Sequence, residues 1–232
     1  MARKSSQRAR PRLRVLVTPA RERLRVLVTA GPTREHVDPV RYLTNESSGR
    51  MGFAIAEAAR AAGHAVTLVA GPVALPTPKG VRRVDVTSAL EMRDATLAAF
   101  RDSDALFMAA AVCDWRPAKR LRGKWRAKDL GGGRTSLALV RNPDILAMCG
   151  RERSKGDRLV VGFALETGHG IARARRKLRR KGADFVVLND ERALNSPRAS
   201  VLILGGDGSI RSLRNRTKAQ IARELVALLG RP

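Results

Sequence analysis

At 232 residues with 44% hydrophobic side chains, the chain is long enough for one α/β domain with a large core, and its apolar runs are too short for a membrane-spanning helix. Lysine and arginine number 46 against 21 acidic residues, formally +25, but aromatic residues make up only 3% of the chain. That removes the stacking platform single-stranded nucleic acid needs, and no basic face recurs at regular intervals, so nucleic acid is not the expected partner.

The basic N-terminal segment has no continuous apolar region followed by a small-residue cleavage site, so no signal peptide is expected. Cys113 and Cys149 lack paired-ligand spacing, and His36, His64 and His169 are scattered. This suits a reducing cytoplasm and no protein-bound zinc. Residues 1–25 hold nine basic side chains and only Glu22, leaving +17 for the remainder, so the excess is not confined to a tail. The string LRVLVT occurs at 13–18 and again at 24–29, and only the second copy leads into a loop and helix. Residues 1–22 are therefore expected to be a disordered basic extension, and residues 23–232 the domain.

Within that domain Val26 to Ala30 reads as a buried strand, and a helix is expected near Ser48 with Met51, Ile55, Ala58, Ala59 and Ala62 on its inner face. The intervening loop is too long for the tight glycine turn of a dinucleotide fingerprint. Pro32, Pro39 and the buried-looking Val37, Val40, Tyr42 and Leu43 argue that it is ordered. Strands follow at Ala65–Ala70, Val81–Val86 and Asp104–Ala110, and Ser88 with Glu91 forms a capping box for the helix between the last two. Arg116–Arg134 is polar, glycine-ended and flap-like, and Thr135–Val140 is a returning strand. Asn142-Pro143-Asp144 starts a short helix. Leu159–Leu165 and Ala183–Leu188 are buried strands around a basic helix, 170–182. A hairpin across GGDG and a helix capped by Thr217 and Gln220 complete the chain. Alternating strands and helices predict a doubly wound, mainly parallel, Rossmann-like sheet with its ligand at the strands' carboxyl ends.

Ser47, Ser48 and Gly49 precede a helix whose first N–H groups have no internal partner. They read either as an ordinary N-cap or as a phosphate site. Lys177 and Lys181 are four apart on one helical face in a chain with 37 Arg and nine Lys. They read either as a solvated basic face or as a contact for an anion. Lys124 is either a surface lysine or a flap cation that meets developing phosphate charge. Cys113 beside Asp114 is read as a small hydrophobe rather than a nucleophile.

The strings TAGPTREHVDPVRYLTNESSGRMGFAIAEAA, GPVALPTP, AAVCDWRP, NPDIL, GFALET, and KxxxK followed by VVLND, with Lys124 following Asp114, resemble the synthetase half of phosphopantothenoylcysteine synthetase/decarboxylase over residues 26–190. The likeness weakens toward the C-terminus. It implies a ligase of coenzyme A synthesis that activates 4′-phosphopantothenate with CTP or ATP and joins it to L-cysteine through an acyl-nucleotidyl intermediate. Carried over by position, Asn45 acts on that intermediate and Lys124 promotes its formation. Met108, Ala109, Ala110, Asp114, Lys124, Pro143, Asp144, Ile145, Leu146, Phe163, Lys177 and Lys181 hold the nucleotide, and Ser47, Ser48 and Gly49 meet the substrate phosphate. The resemblance also implies Mg²⁺, with protein ligands unassigned, a homodimer, and decarboxylation by a separate protein. The family's flap motif is lysine, any residue, then two lysines, whereas here Lys124 precedes Trp125, Arg126 and Ala127. The rival readings are a nucleic-acid-binding or dinucleotide-binding protein that lacks ligase activity.

Overall fold

The computed structural model describes residues 23–126, 133–153, 158–165, 170–189 and 196–230; the expected extension 1–22 lies outside the described residues. The main strands are β1 (Arg25–Ala30), β4 (Ala65–Ala70), β5 (Arg82–Asp85), β6 (Ala105–Met108), β9 (Leu159–Leu165), β10 (Phe185–Asn189), β11 (Arg198–Gly205) and β12 (Ile210–Thr217). Among the described residues they form one sheet in the order β12-β11-β10-β9-β6-β1-β4-β5. The strands from β10 through β5 run parallel, and β11 and β12 add an antiparallel hairpin at one edge.

A strand buried on both faces must be apolar at consecutive positions. Val26, Val28 and Ala30 of β1 point into one layer and Leu27 into the other; Phe107 opposes Leu106 and Met108 in the same way on β6. Helices α1 (Arg50–Ala61) and α5 (Lys218–Val226) cover the first face, and α2 (Ala89–Phe100), α3 (Ile145–Glu152) and α4 (Gly170–Lys181) cover the second. Leu27 and Phe107 are fully shielded. Each such burial contributes about 1.5–3 kcal/mol, enough to hold the sheet in register against a one-residue slip. The doubly wound sheet with a terminal hairpin and helix is therefore as expected.

The predicted caps form at two helices. Ser88 Oγ accepts from Glu91 N at the start of α2, and Thr217 and Gln220 make a reciprocal capping box at α5. At α1 the expectation is corrected. The helix begins at Arg50, not near Ser48, and its N-cap is Gly49 at φ 74°, with no side chain closing the turn. Ser47 Oγ instead accepts the Gly49 amide at 3.3 Å.

Two small ribbons stand above the sheet's carboxyl edge. One pairs β2 (Arg34–His36) with β3 (Tyr42–Thr44), and the other pairs β7 (Trp115–Pro117) with β8 (Leu139–Arg141). Neither pairing was evident from periodicity, because three-residue strands are too short to show one. The strand expected at Thr135–Val140 is confined to 139–141. Val37 is buried, but Val40 and Tyr42 are 61% and 39% exposed, correcting their buried reading; they lie at the tip of a ribbon rather than under it.

Candidate functional site

Neighbouring crossovers leave a parallel sheet in opposite directions at its switch point, and a crevice opens there at the strands' carboxyl ends. In this sheet the switch lies between β1 and β6. Buried Thr29 closes its floor, its Oγ1 accepting from Ala110 N at 3.2 Å. Beyond the strand ends, the chains continue to pair. Ala111 N donates to Gly31 O at 2.9 Å, Thr33 N to Ala111 O at 3.3 Å, and Cys113 N to Thr33 Oγ1 at 3.1 Å. This pairing carries the opening loop alongside 111–114.

Asn45 follows from that pairing. Thr44 Oγ1 donates to Thr33 O at 2.7 Å, fixing the end of β3. The Asn45 amide donates to Ala111 O at 3.0 Å and lies 3.8 Å from Cys113 Sγ. Cys113 in turn lines a cleft of about 430 Å³. The residue expected to handle an acyl intermediate is thus held at the cleft's edge.

Met108, Ala110, Asp114, Pro143, Asp144, Ile145, Leu146, Phe163, Lys177 and Lys181 all line this cleft. Ala109 and Lys124 are not part of its lining, and neither are Ser47, Ser48 and Gly49, which sit at the start of α1. Sequence reasoning missed Arg141, Asn142 and Arg180 on the cleft wall. Arg180 could have been found, because it lies three residues after Lys177 and so shares its helical face. Asn142 could have been found as well, as the first residue of the NPDIL string, but Arg141 could not, since only the β7–β8 pairing brings it in. Asn142 is buried, with its Nδ2 donating to Cys113 O at 2.9 Å and its Oδ1 accepting from Arg116 at 3.0 Å.

The cleft is strongly cationic. Lys177 donates its ammonium to Phe163 O, and Lys181 forms an ion pair with Asp144. Asp144 also caps α3, accepting from Ala147 N at 3.1 Å. At Gly150 helix α3 touches the last turn of α4, where a Cβ would lie 1.8 Å from Lys181 O. Only glycine permits the approach that puts Lys181 against Asp144. Burial holds the Lys181 ammonium below its usual range and nearby Arg141 adds to this, while Asp114 opposes both. An arriving anion would favour its charged form. Burial pushes the Cys113 thiol up, despite its bond with Thr33, and Glu35 and Asp114 push the same way. A protonated thiol is no nucleophile, in keeping with Cys113 as a small packing residue.

Lys124 is exposed, on a segment fastened to the opening loop. Leu121 N donates to Val37 O at 2.9 Å, and Trp125 N donates to Asp38 Oδ2 at 3.0 Å. Asp38 is completely shielded from solvent. Its Oδ1 accepts from Val40 N and Arg41 N, both at 2.8 Å. Burial alone would raise its pKa; the three amides, with the Arg41 charge, outweigh that and hold the carboxyl below its ordinary range.

Fold and cleft together define a doubly wound α/β protein with a cation-lined cleft at the carboxyl ends of β6 and β9, beside its topological switch point. The family of DNA/pantothenate metabolism flavoprotein C-terminal domains matches residues 21–231, and the chain belongs to that family. A coenzyme A biosynthesis bifunctional protein CoaBC of Vibrio vulnificus (strain CMCP6) is 42% identical over 200 residues, covering 84% of this chain and 49% of the relative. The CoaBC of Escherichia coli (strain K12) is 48% identical over 161 residues, covering 69% of this chain and 39% of the relative. The chain thus spans about half the length or less of these curated relatives. A crystal structure of the C-terminal domain of a CoaBC protein superposes with a TM-score of 0.74 at 39% identity, covering 88% of this chain and 92% of that one.

Proposed function

We propose that the chain is a nucleotide-dependent ligase that joins 4′-phosphopantothenate to L-cysteine in coenzyme A biosynthesis, with CTP, or alternatively ATP, as co-substrate. The observation that carries this reading is the convergence of Lys177, Arg180, Lys181 and Arg141 on one cleft with Asn45 held at its edge. Family membership supports the place in coenzyme A biosynthesis, which the relatives' names carry, and the substrates are those that the sequence resemblance implies.

In this mechanism the phosphopantothenate carboxylate attacks the α-phosphorus of the nucleotide and expels pyrophosphate, forming a mixed anhydride. The cysteine amine then attacks the acyl carbon, the nucleoside monophosphate leaves, and the amine's proton passes to solvent. The cationic wall stabilises charge that builds on the phosphoryl oxygens, and does so in a fixed geometry. Lys124 adds a cation at the developing anhydride. The Asn45 amide, anchored on Ala111 O, is oriented toward the acyl group. The Gly49 turn offers amides to the substrate phosphate. Magnesium, when bound with the triphosphate, supplies further charge neutralisation. Asp114 is the cleft carboxylate that suits such a hard cation, because Asp144 is engaged by Lys181 and by the α3 cap.

A homodimer belongs to the same reading. Val40, Tyr42, Trp115, Leu139 and Val140, all on the two ribbons, are exposed large hydrophobic residues, and a partner subunit seated on the ribbons would cover them. Among the described residues no helix is long and apolar enough to cross a membrane. The two cysteines are buried free thiols, which accords with a reducing compartment.

The test is pyrophosphate release and amide formation with phosphopantothenate and cysteine, CTP and ATP being assayed side by side. Release that depends on all three substrates supports the ligase, and Lys124→Gln should abolish it with the fold intact. No release, together with salt-sensitive binding to DNA, would instead support the nucleic-acid reading.

A further inference from the structure

Asp38 lies outside the cleft yet is among the most heavily bonded carboxylates of the described residues, and the reaction above gives it no role. A buried carboxylate is retained only where its lone pairs are satisfied, and here they join two segments. Oδ1 closes the β2–β3 turn through Val40 N and Arg41 N, and Oδ2 reaches across to Trp125 N. The Arg41 guanidinium adds an ion pair at 3.7 Å. One segment leads through β3 to Asn45. The other carries Lys124, whose carbonyl carbon is bonded directly to the Trp125 nitrogen that Asp38 holds. The Leu121–Val37 bond gives that segment a second anchor, so the backbone on the N-terminal side of Lys124 is tied as well.

We propose that Asp38 is a positioning residue of the ligase: by holding the Trp125 amide it fixes the backbone at Lys124 relative to Asn45, so that the two groups address one substrate. This rests on the ligase reading. The geometry requires an acceptor at Oδ2. Asparagine can keep an oxygen on Val40 N and Arg41 N only by turning its amide nitrogen toward the Trp125 N–H, which sets donor against donor.

Two variants and two readouts test it. Asp38→Asn removes the acceptor, and Trp125→Pro removes the donor while leaving the 38–41 turn untouched; Trp125→Phe keeps the N–H and serves as control. Amide hydrogen exchange by NMR should show the Trp125 proton losing roughly ten- to a hundredfold of its protection in Asp38→Asn, the scale of a bond to a charged acceptor. In the pyrophosphate assay both Asp38→Asn and Trp125→Pro should lower kcat by about 10- to 100-fold, as a misplacement near 1 Å does. KM for the nucleotide should stay within about twofold, since the cleft wall is built from other elements, and Trp125→Phe should retain activity. Unchanged Trp125 exchange in Asp38→Asn, or unchanged kcat in Trp125→Pro, would each overturn the proposal. If the wild-type chain releases no pyrophosphate, the ligase reading falls and the positioning role falls with it. The exchange result separates that outcome from failure of the tether alone.

Discussion

Gly49 offers a sharp test of how the start of α1 is built, with Gly63 at the other end of the same helix as its control. Both residues lie in the left-handed region, at φ 74° and 92°. An alanine there costs roughly 1–2 kcal/mol on conformational grounds. Around Gly63 a new Cβ would meet nothing within 4 Å, so that cost is all Gly63→Ala should show. At Gly49 the Cβ would lie 3.0 Å from Val73 Cγ1 and 3.3 Å from both Cα and N of Gly31. Val73 can rotate away, but the Gly31 backbone belongs to the pairing that carries the opening loop, and moving it adds about 1 kcal/mol or more. For a domain of this size each kcal/mol is worth about 2–4 °C in Tm. Gly63→Ala should thus melt about 2–8 °C below wild type, and Gly49→Ala about 4–12 °C below and lower than Gly63→Ala, by circular dichroism. If the amides of the Gly49 turn hold the substrate phosphate, Gly49→Ala should also raise KM for phosphopantothenate about tenfold or more, the scale of one misplaced bond to a charged group. KM for the nucleotide should not move, and Gly63→Ala should leave both unchanged. Equal melting of the two variants would refute the crowding argument. An unchanged phosphopantothenate KM in Gly49→Ala would remove the phosphate from this turn.

Other outcomes follow from the cleft and the core. Lys177→Met and Lys181→Met should each raise KM for the nucleotide about 10- to 100-fold, as loss of a charge-assisted contact does, with KM for cysteine unaffected in steady-state assays. Asn45→Asp should form the acyl-nucleotidyl intermediate but consume it slowly, so that quenched reactions analysed by mass spectrometry accumulate it; normal amide formation would exclude that role. His64 is 2% exposed, and both its ring nitrogens lack hydrogen-bond partners among the described residues. Burial lowers its pKa from 6.5. Below about pH 6.5 the unfolded chain therefore binds the extra proton, and stability falls as pH drops from there toward the lowered folded value. Urea melts of His64→Leu should lose that slope between about pH 6.5 and 5, and should match or exceed wild-type stability at pH 7, since two unpaired polar atoms are removed.

Much of this architecture is legible in the chain because its signals are local. Consecutive apolar residues in β1, β4, β6, β9 and β10 announce strands covered on both faces, and Ser88 and Thr217 mark helix starts whose bonds close within four residues. Lys177 and Lys181 are readable as a pair because helical geometry puts them on one face. The start of α1 is less legible for an equally local reason: a Ser-Ser-Gly string satisfies the rule for a serine cap, and only the backbone reveals that Gly49 occupies the position.

The remaining features depend on segments distant in sequence. The three-residue ribbons have no periodicity to read. Arg141 reaches the cleft only because β8 pairs with β7, and Asp38 binds a residue 87 positions away. The sequence by itself determined the doubly wound sheet, its capped helices and the list of groups suited to an anionic substrate, since hydrophobic period and capping chemistry act over a few residues. Only the tertiary structure decided which of those groups share a cleft, that Asn45 is anchored on Ala111 at its edge, and that Lys124 stands outside it on a tether. Those relations are hydrogen bonds and ion pairs between remote segments, and their geometry exists only once the sheet has brought the strand ends together.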